Sequence, residues 1–188
     1  MSMSKCEKML KVIAPFGAVI LLLVIWLNYP SGENEMISFE STQTINMGKA
    51  PAWEKLQDLT LAHHYVPGII KTEITSDNTT GLDASRRVYQ SAARYLNETV
   101  IEWNEGSGFL LHLYKDNGTA PFPFKYAEFR YQLEDAPDGK ASIKVLLSFQ
   151  MAGGRLGQWF SGLLAKEFQR RTDDVAKNLK DYYESLQP

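Results

Sequence analysis

The sequence predicts an α+β fold: a curved antiparallel sheet of about seven strands, two short helices after the first strand, and one long C-terminal helix. An N-terminal transmembrane helix is expected to precede this domain. Three observations carry the reading. Apolar residues alternate with polar ones in a series of short segments from residue 37 onward, the period of half-buried strands. Short turn-rich connections separate these segments, which favours antiparallel neighbours. After Gly153-Gly154 the period changes to three and four residues and holds almost to the C-terminus, giving a helix of roughly 30 residues and about 45 Å.

The first strand is "MISFESTQTINM", with Ile37, Phe39, Ile45 and Met47 on one face. "KAPAWEKLQDLTLAHHY" then turns helical, with Pro51 near a helix start and Pro67-Gly68 as terminator. Six strands are expected next: "IIKTEITS", "LDASRRVYQS", "YLNETVIEW", "FLLHLYK", "KYAEFRYQLE" and "ASIKVLLSFQM". Phe129, Tyr131 and Leu133 form one inward row, and Ile143, Val145, Leu147, Phe149 and Met151 form another. The final helix carries a one-sided stripe through Leu156, Trp159, Phe160, Leu163, Leu164, Phe168, Val175, Leu179, Tyr182 and Leu186. A one-sided stripe lies against a sheet rather than being buried all round.

Residues 12–27, "VIAPFGAVILLLVIWL", carry no charge, and the apolar run extends over residues 9–29 if Lys11 and Asn28 snorkel. About 20 such residues cross a bilayer as a helix. Lys5, Lys8 and Lys11 precede the run, and Glu33 and Glu35 follow it, which predicts a cytoplasmic N-terminus and an extracytoplasmic domain, periplasmic or extracellular. A cleaved signal peptide is the competing reading, but Trp26-Leu27-Asn28-Tyr29-Pro30 offers no small-x-small site. The expected organisation is therefore residues 1–29 as cytoplasmic start and signal anchor, 30–36 as linker, and 37–188 as the globular domain. Cys6 is the only cysteine, so that domain has no disulfide to rely on. Beyond residue 30 the chain has 17 basic and 21 acidic residues, a balance that gives no footprint for nucleic acid.

Three stretches in fixed order resemble the START-related, Bet v 1-like (SRPBCC) superfamily, and within it the polyketide cyclase/dehydrase-like branch. "APAWEKLQDLTLAHHYVPGIIKTEI" is similar to its opening helix pair, "GLDASRRVYQSAARYLNETVIEW" to its glycine-led arginine strand and the strand after it, and "GRLGQWFSGLLAKEFQRRTDDVAKNLKDYYE" to its closing helix. The resemblance covers roughly residues 37–186. It implies a helix-grip fold with a START-like ligand-binding cavity between sheet and long helix. Some members of the superfamily are cyclases, hydrolases or lyases, and many bind or carry lipids, hormones or similar apolar molecules. The N-terminal anchor departs from the mostly soluble members.

The expected function is a membrane-anchored domain binding a hydrophobic small molecule or lipid, with no nucleic acid partner. The alternative is a cyclase/dehydratase- or hydrolase-type enzyme using acid–base groups in the same cavity, with His112, Arg86 and Glu98 as its candidates. The candidate ligand-binding residues are His63, His64, Tyr65, Arg86, Trp103, His112, Trp159 and Phe160. His63 and His64 are adjacent, so they point about 100° apart on a helix and suit one metal poorly. They read as residues of a cavity rim, with Tyr65 beside them, or as ordinary helix-end residues. Arg86 stands on an otherwise apolar strand face, where it either pairs with Glu98 on the next strand or meets an acidic head group. Trp103, Trp159 and Phe160 suit core packing or the cavity wall. His112 sits on a strand apolar on both faces, as a structural histidine or a pocket-lining base. No metal site and no cofactor are expected: nucleophile-elbow, P-loop, dinucleotide and Cys-x-x-Cys patterns are all missing.

Overall fold

The computed structural model describes residues 36–186. The predicted membrane-spanning segment lies outside the described residues, and no described helix is long and apolar enough to cross a membrane.

Strand β1 (Ile37–Ile45) leads into helix α1 (Lys49–Leu56), a single 3-10 turn (Leu59–Leu61) and the short helix α2 (Ala62–Tyr65). Six strands follow: β2 (Lys71–Ile74), β3 (Ser85–Ser91), β4 (Arg94–Asn104), β5 (Gly108–Tyr114), β6 (Phe124–Asp135) and β7 (Ala141–Met151). Helix α3 (Gly154–Ser185) closes the chain. The strands form one antiparallel sheet in the order β1-β7-β6-β5-β4-β3-β2, so β2 to β7 run as a meander and β1 closes against β7. The inner face carries the alternate apolar rows, which are packed with Val175, Ala176, Leu179 and Tyr183 of α3 in one buried cluster. A second cluster joins Ala127, Phe149 and Met151 to Phe39, Phe124 and Phe168. There the Phe149 and Phe168 rings lie 4.7 Å apart and tie α3 to the β1–β7 edge.

Helices α1 and α2 form a lid over the other end of the core. Trp53 and Leu56 of α1, Leu59 of the turn, and Ala62 and Tyr65 of α2 are all buried. Asp58 starts the turn by accepting from the Thr60 backbone N–H at 2.9 Å, the usual role of an aspartate at a helix start.

Two glycines are dictated by the packing. Gly153 takes a left-handed φ of 85° between β7 and α3, a conformation that costs glycine nothing. A Cβ on Gly157 would come within 2.0 Å of the Ala152 carbonyl oxygen, so only glycine lets the helix start so close to the strand it has just left.

One expected pattern is broken. Period-two alternation places Trp103 on the face of Ile101, Thr99 and Tyr95. The register shifts between Val100 and Glu102, a bulge that adds one residue and reverses the phase beyond it. Trp103 therefore turns inward, 5.6 Å from Phe109 and 5.0 Å from Trp53 between ring centroids. Glu102 turns outward onto Arg130.

Candidate functional site

Between the inner face of the sheet and α3 lies a cavity of about 180 Å³. Its sheet wall includes Val88 of β3, Leu96 of β4, Leu113 of β5, Phe129 of β6 and Leu147 of β7. Thr172 and Val175 of α3 close it from the helix side, and Val66, Pro67 and Ile69 from the segment after α2. The alternation that builds the core thus also builds the wall, with nothing but shape separating the two. Engineered apolar cavities of about 150 Å³ take up benzene, so this one suits a single ring or a short acyl segment.

Thr172 and Glu98, two polar residues of its wall, have partners. Thr172 Oγ1 donates to the Phe168 carbonyl at 2.9 Å. Glu98 reaches the cavity but is held by Arg86, whose Nε donates to Glu98 Oε2 at 2.6 Å. A second guanidinium nitrogen donates to the Leu59 carbonyl at 2.9 Å. Arg86 is 1% exposed. Burial alone would lower its pKa, and the adjacent Glu98 carboxylate more than offsets that, so the guanidinium is held above its ordinary range. The pair thus ties β3, β4 and the turn before α2 together from inside.

Two phenols, those of Tyr65 and Tyr131, stand beside this pair. Tyr131 lines the cavity, and burial pushes its pKa well up, as it does for Tyr183. Tyr65 is 1% exposed, and its ring meets that of Tyr131 edge-on at 6.0 Å. Burial raises the Tyr65 pKa against the opposing field of the Arg86 guanidinium, and its hydroxyl lies outside hydrogen-bond geometry, as does the hydroxyl of Tyr183.

The candidate residues scatter over distinct places. Arg86, Glu98 and Tyr65 come together beneath the cavity. His63 and His64 do not line it: their rings stack on each other at 4.1 Å, and His64 stacks on Tyr182 of α3 at 4.5 Å. Burial, then the neighbouring His63, lowers the His64 pKa. His63 Nδ1 lies 3.0 Å from the Thr60 carbonyl oxygen, so both imidazoles serve the packing of α2. His112 is on the outer face, across from Thr99 and Glu128 and stacked on Tyr126 at 5.0 Å. The sheet itself separates it from the cavity. Trp103 packs in the core, and its indole N–H and that of Trp53 both donate to Glu105 at 2.8 and 2.9 Å. Trp159 and Phe160 sit on the exposed first turns of α3, away from the cavity. Among the described residues no three His, Cys, Asp or Glu side chains gather as a metal site requires.

The sequence reading missed Val66, Ile69, Leu96, Phe129, Leu147 and Val175 as cavity residues. All carry the alternation or helical spacing of core positions, and periodicity does not distinguish a wall from a filled core. Pro67, read as punctuation, is part of the wall.

A sheet gripping one long helix, with an apolar cavity between them and short helices capping one edge, defines the helix-grip fold. The family described as "Polyketide cyclase / dehydrase and lipid transport" matches residues 36–184, and the chain belongs to it, within the SRPBCC superfamily. Among solved structures, Ara h 8.0201 is similar with a TM-score of 0.60 at 21% identity, over 80% of this chain and 99% of that one. Zhui aromatase/cyclase from Streptomyces sp. R1128 gives 0.61 at 16%, over 80% and 94%. TTHA0849 from Thermus thermophilus gives 0.60 at 13%, over 81% and 100%. At these identities the likeness is one of fold. No curated protein matches.

Proposed function

We propose that this chain is a binding or carrier domain that holds an apolar or amphipathic small molecule, lipid-like in character, between the sheet and α3. The supporting observation is the cavity of about 180 Å³ with its predominantly apolar wall. Its size suits part of a lipid, such as an acyl end, with the remainder of the molecule outside. In this reading residues 9–29 anchor the chain in a membrane with the N-terminus in the cytoplasm and the domain on the extracytoplasmic side. The uncharged run at residues 12–27 and the lysines before it support that placement.

The enzymatic alternative has less to draw on. An acid–base catalyst needs a group free to exchange a proton near neutral pH. In the cavity wall Glu98 is committed to Arg86, and the Tyr131 phenol is pushed further from neutrality by burial. His112 faces the other side of the sheet.

Native mass spectrometry of the full chain, released directly from its membrane, tests the proposal. A retained lipid-like molecule is expected, together with saturable uptake of an apolar fluorescent probe. A chain that carries nothing and takes up no such probe would overturn the reading.

A further inference from the structure

The first turns of α3 present an apolar surface that nothing among the described residues covers. Phe122 is 87% exposed, Leu163 61% and Trp159 59%, and Leu156, Phe160 and Leu164 are also exposed. Phe122 stands in the loop before β6, and with Phe160 and Leu164 it borders a hollow of about 400 Å³ whose wall is almost wholly apolar. Trp159 packs edge-on against Phe160 at 5.1 Å. A contiguous patch of this kind marks an interaction surface.

Strand register shows what this surface faces. Ile37 pairs with Phe149 and Phe124 with Met151. The start of β1, the end of β7 and the start of α3 therefore share one end of the sheet. The chain enters the domain at the same end as its exposed apolar tip. Residues 28–36, nine residues, link the uncharged run at 12–27 to β1. They span at most about 30 Å when extended. The antiparallel order also places the loop from Pro67 to Ile70 at this end, where Ile70 is 64% exposed. The cavity residues Gln90, Leu96 and Leu113 lie toward the same strand ends. No acidic residue occurs in α3 before Glu167, and Asp116, the one carboxylate of the loop that carries Phe122, is bonded to Tyr95 and Asn97 and lies 3.7 Å from Arg87, so the tip offers little uncompensated negative charge to an anionic lipid surface.

We propose that this tip, formed by Phe122, Leu156, Trp159, Phe160, Leu163 and Leu164, inserts into the headgroup–acyl boundary of a lipid bilayer and turns the cavity end toward the lipid. The surface it meets is the bilayer that residues 9–29 would cross, so the inference rests on the tethered-carrier reading and extends it. Aromatic rings suit that boundary because their faces are apolar and the indole N–H stays near water. Docking adds what the tether lacks: it fixes the orientation of the domain, so a molecule enters the cavity without crossing bulk water.

The test uses the full chain with Cys6→Ser, reconstituted into phosphatidylcholine/phosphatidylglycerol vesicles. One nitroxide is attached at Leu163→Cys, at Val19→Cys within the uncharged run, or at Thr79→Cys on the opposite end of the sheet. Leu163 and Thr79 are exposed, so the labels leave the core intact. Collision with oxygen and with a water-soluble nickel chelate is then measured by power saturation. Docking predicts that Leu163 favours oxygen over the chelate several-fold more than Thr79 does. A water-like Leu163 with an embedded Val19 overturns docking and leaves the tether standing. Water-like signals at both remove docking and tether together, and an embedded Leu163 with a water-like Val19 supports docking without the tether. Dipolar broadening at Leu163 that vanishes on dilution with unlabelled chain would mean that the tip packs on a second copy, and would also overturn the proposal.

Discussion

Arg86 and Glu98 face each other across β3 and β4 in a buried ion pair, with Arg86 Nε donating to Glu98 Oε2 at 2.6 Å. The pair sits between the cavity and the turn before α2, because Arg86 also holds the Leu59 carbonyl. Removing one partner leaves the other charge buried and alone, at a cost of about 3–5 kcal/mol. Arg86→Met and Glu98→Leu are each expected to lower stability by that order in denaturant titrations followed by tryptophan fluorescence. The double variant should recover much of the loss. Two independent, additive losses would show that the residues do not act as a pair.

The cavity makes a separate prediction. Val175 is 4% exposed and projects from α3 onto the cavity wall. Val175→Phe places a ring where the ligand is proposed to lie, and overpacking of this kind costs about 1–3 kcal/mol. Uptake of an apolar fluorescent probe should fall at least about tenfold, equivalent to about 1.4 kcal/mol, with the circular dichroism spectrum unchanged. Undiminished uptake would place the binding site elsewhere.

Gly157 and Gly162 lie five residues apart on α3 and should respond oppositely to alanine. At Gly157 the new Cβ meets the Ala152 carbonyl, whereas at Gly162 it meets nothing within 4 Å. Gly157→Ala is expected to lower the Tm through a loss of about 1–3 kcal/mol. Gly162→Ala should be neutral or raise stability by about 0.5–1 kcal/mol, the gain from replacing a mid-helix glycine. Thermal unfolding of the two variants decides the matter.

On the outer face Arg130 donates twice to Glu102, at 2.7 Å each. That interaction, and then the Asn104 amide, hold the Glu102 carboxyl down at about 2. A carboxylate whose folded pKa is depressed stabilises the fold above its unfolded pKa, and the contribution is lost as pH falls toward the folded value. The window is therefore about pH 4.5 down to 2. Glu102 is partly exposed, so the contribution is about 0.2–1 kcal/mol. Glu102→Gln should flatten the acid limb of stability against pH within that window and leave its shape at neutral pH unchanged.

Strand order and face were readable where alternation was uninterrupted, as in Ile143 to Met151, because a strand buried on one face must alternate. Reading failed at Trp103, where the bulge at Ile101 inserts one residue and inverts every later side chain. It failed again at His112: "FLLHLYK" is apolar on both faces, so the period says that faces exist without saying which is inner. Arg86 was legible because a charge on an apolar face demands a partner, and Glu98 was the acid on the neighbouring strand.

By itself the sequence determined the element order, the antiparallel meander, the long closing helix and the family resemblance. These follow from local periodicity and turn chemistry, which each segment carries within itself. Tertiary structure alone decided that Phe129, Leu147 and Val175 border space rather than one another, that His63 and His64 pack on Tyr182, and that the tip at Trp159 and Leu163 shares an end with the start of β1. Such facts depend on distances between segments far apart in the chain. The physics that buries an apolar residue is the same whether it meets a neighbour, a cavity or a surface left for a partner.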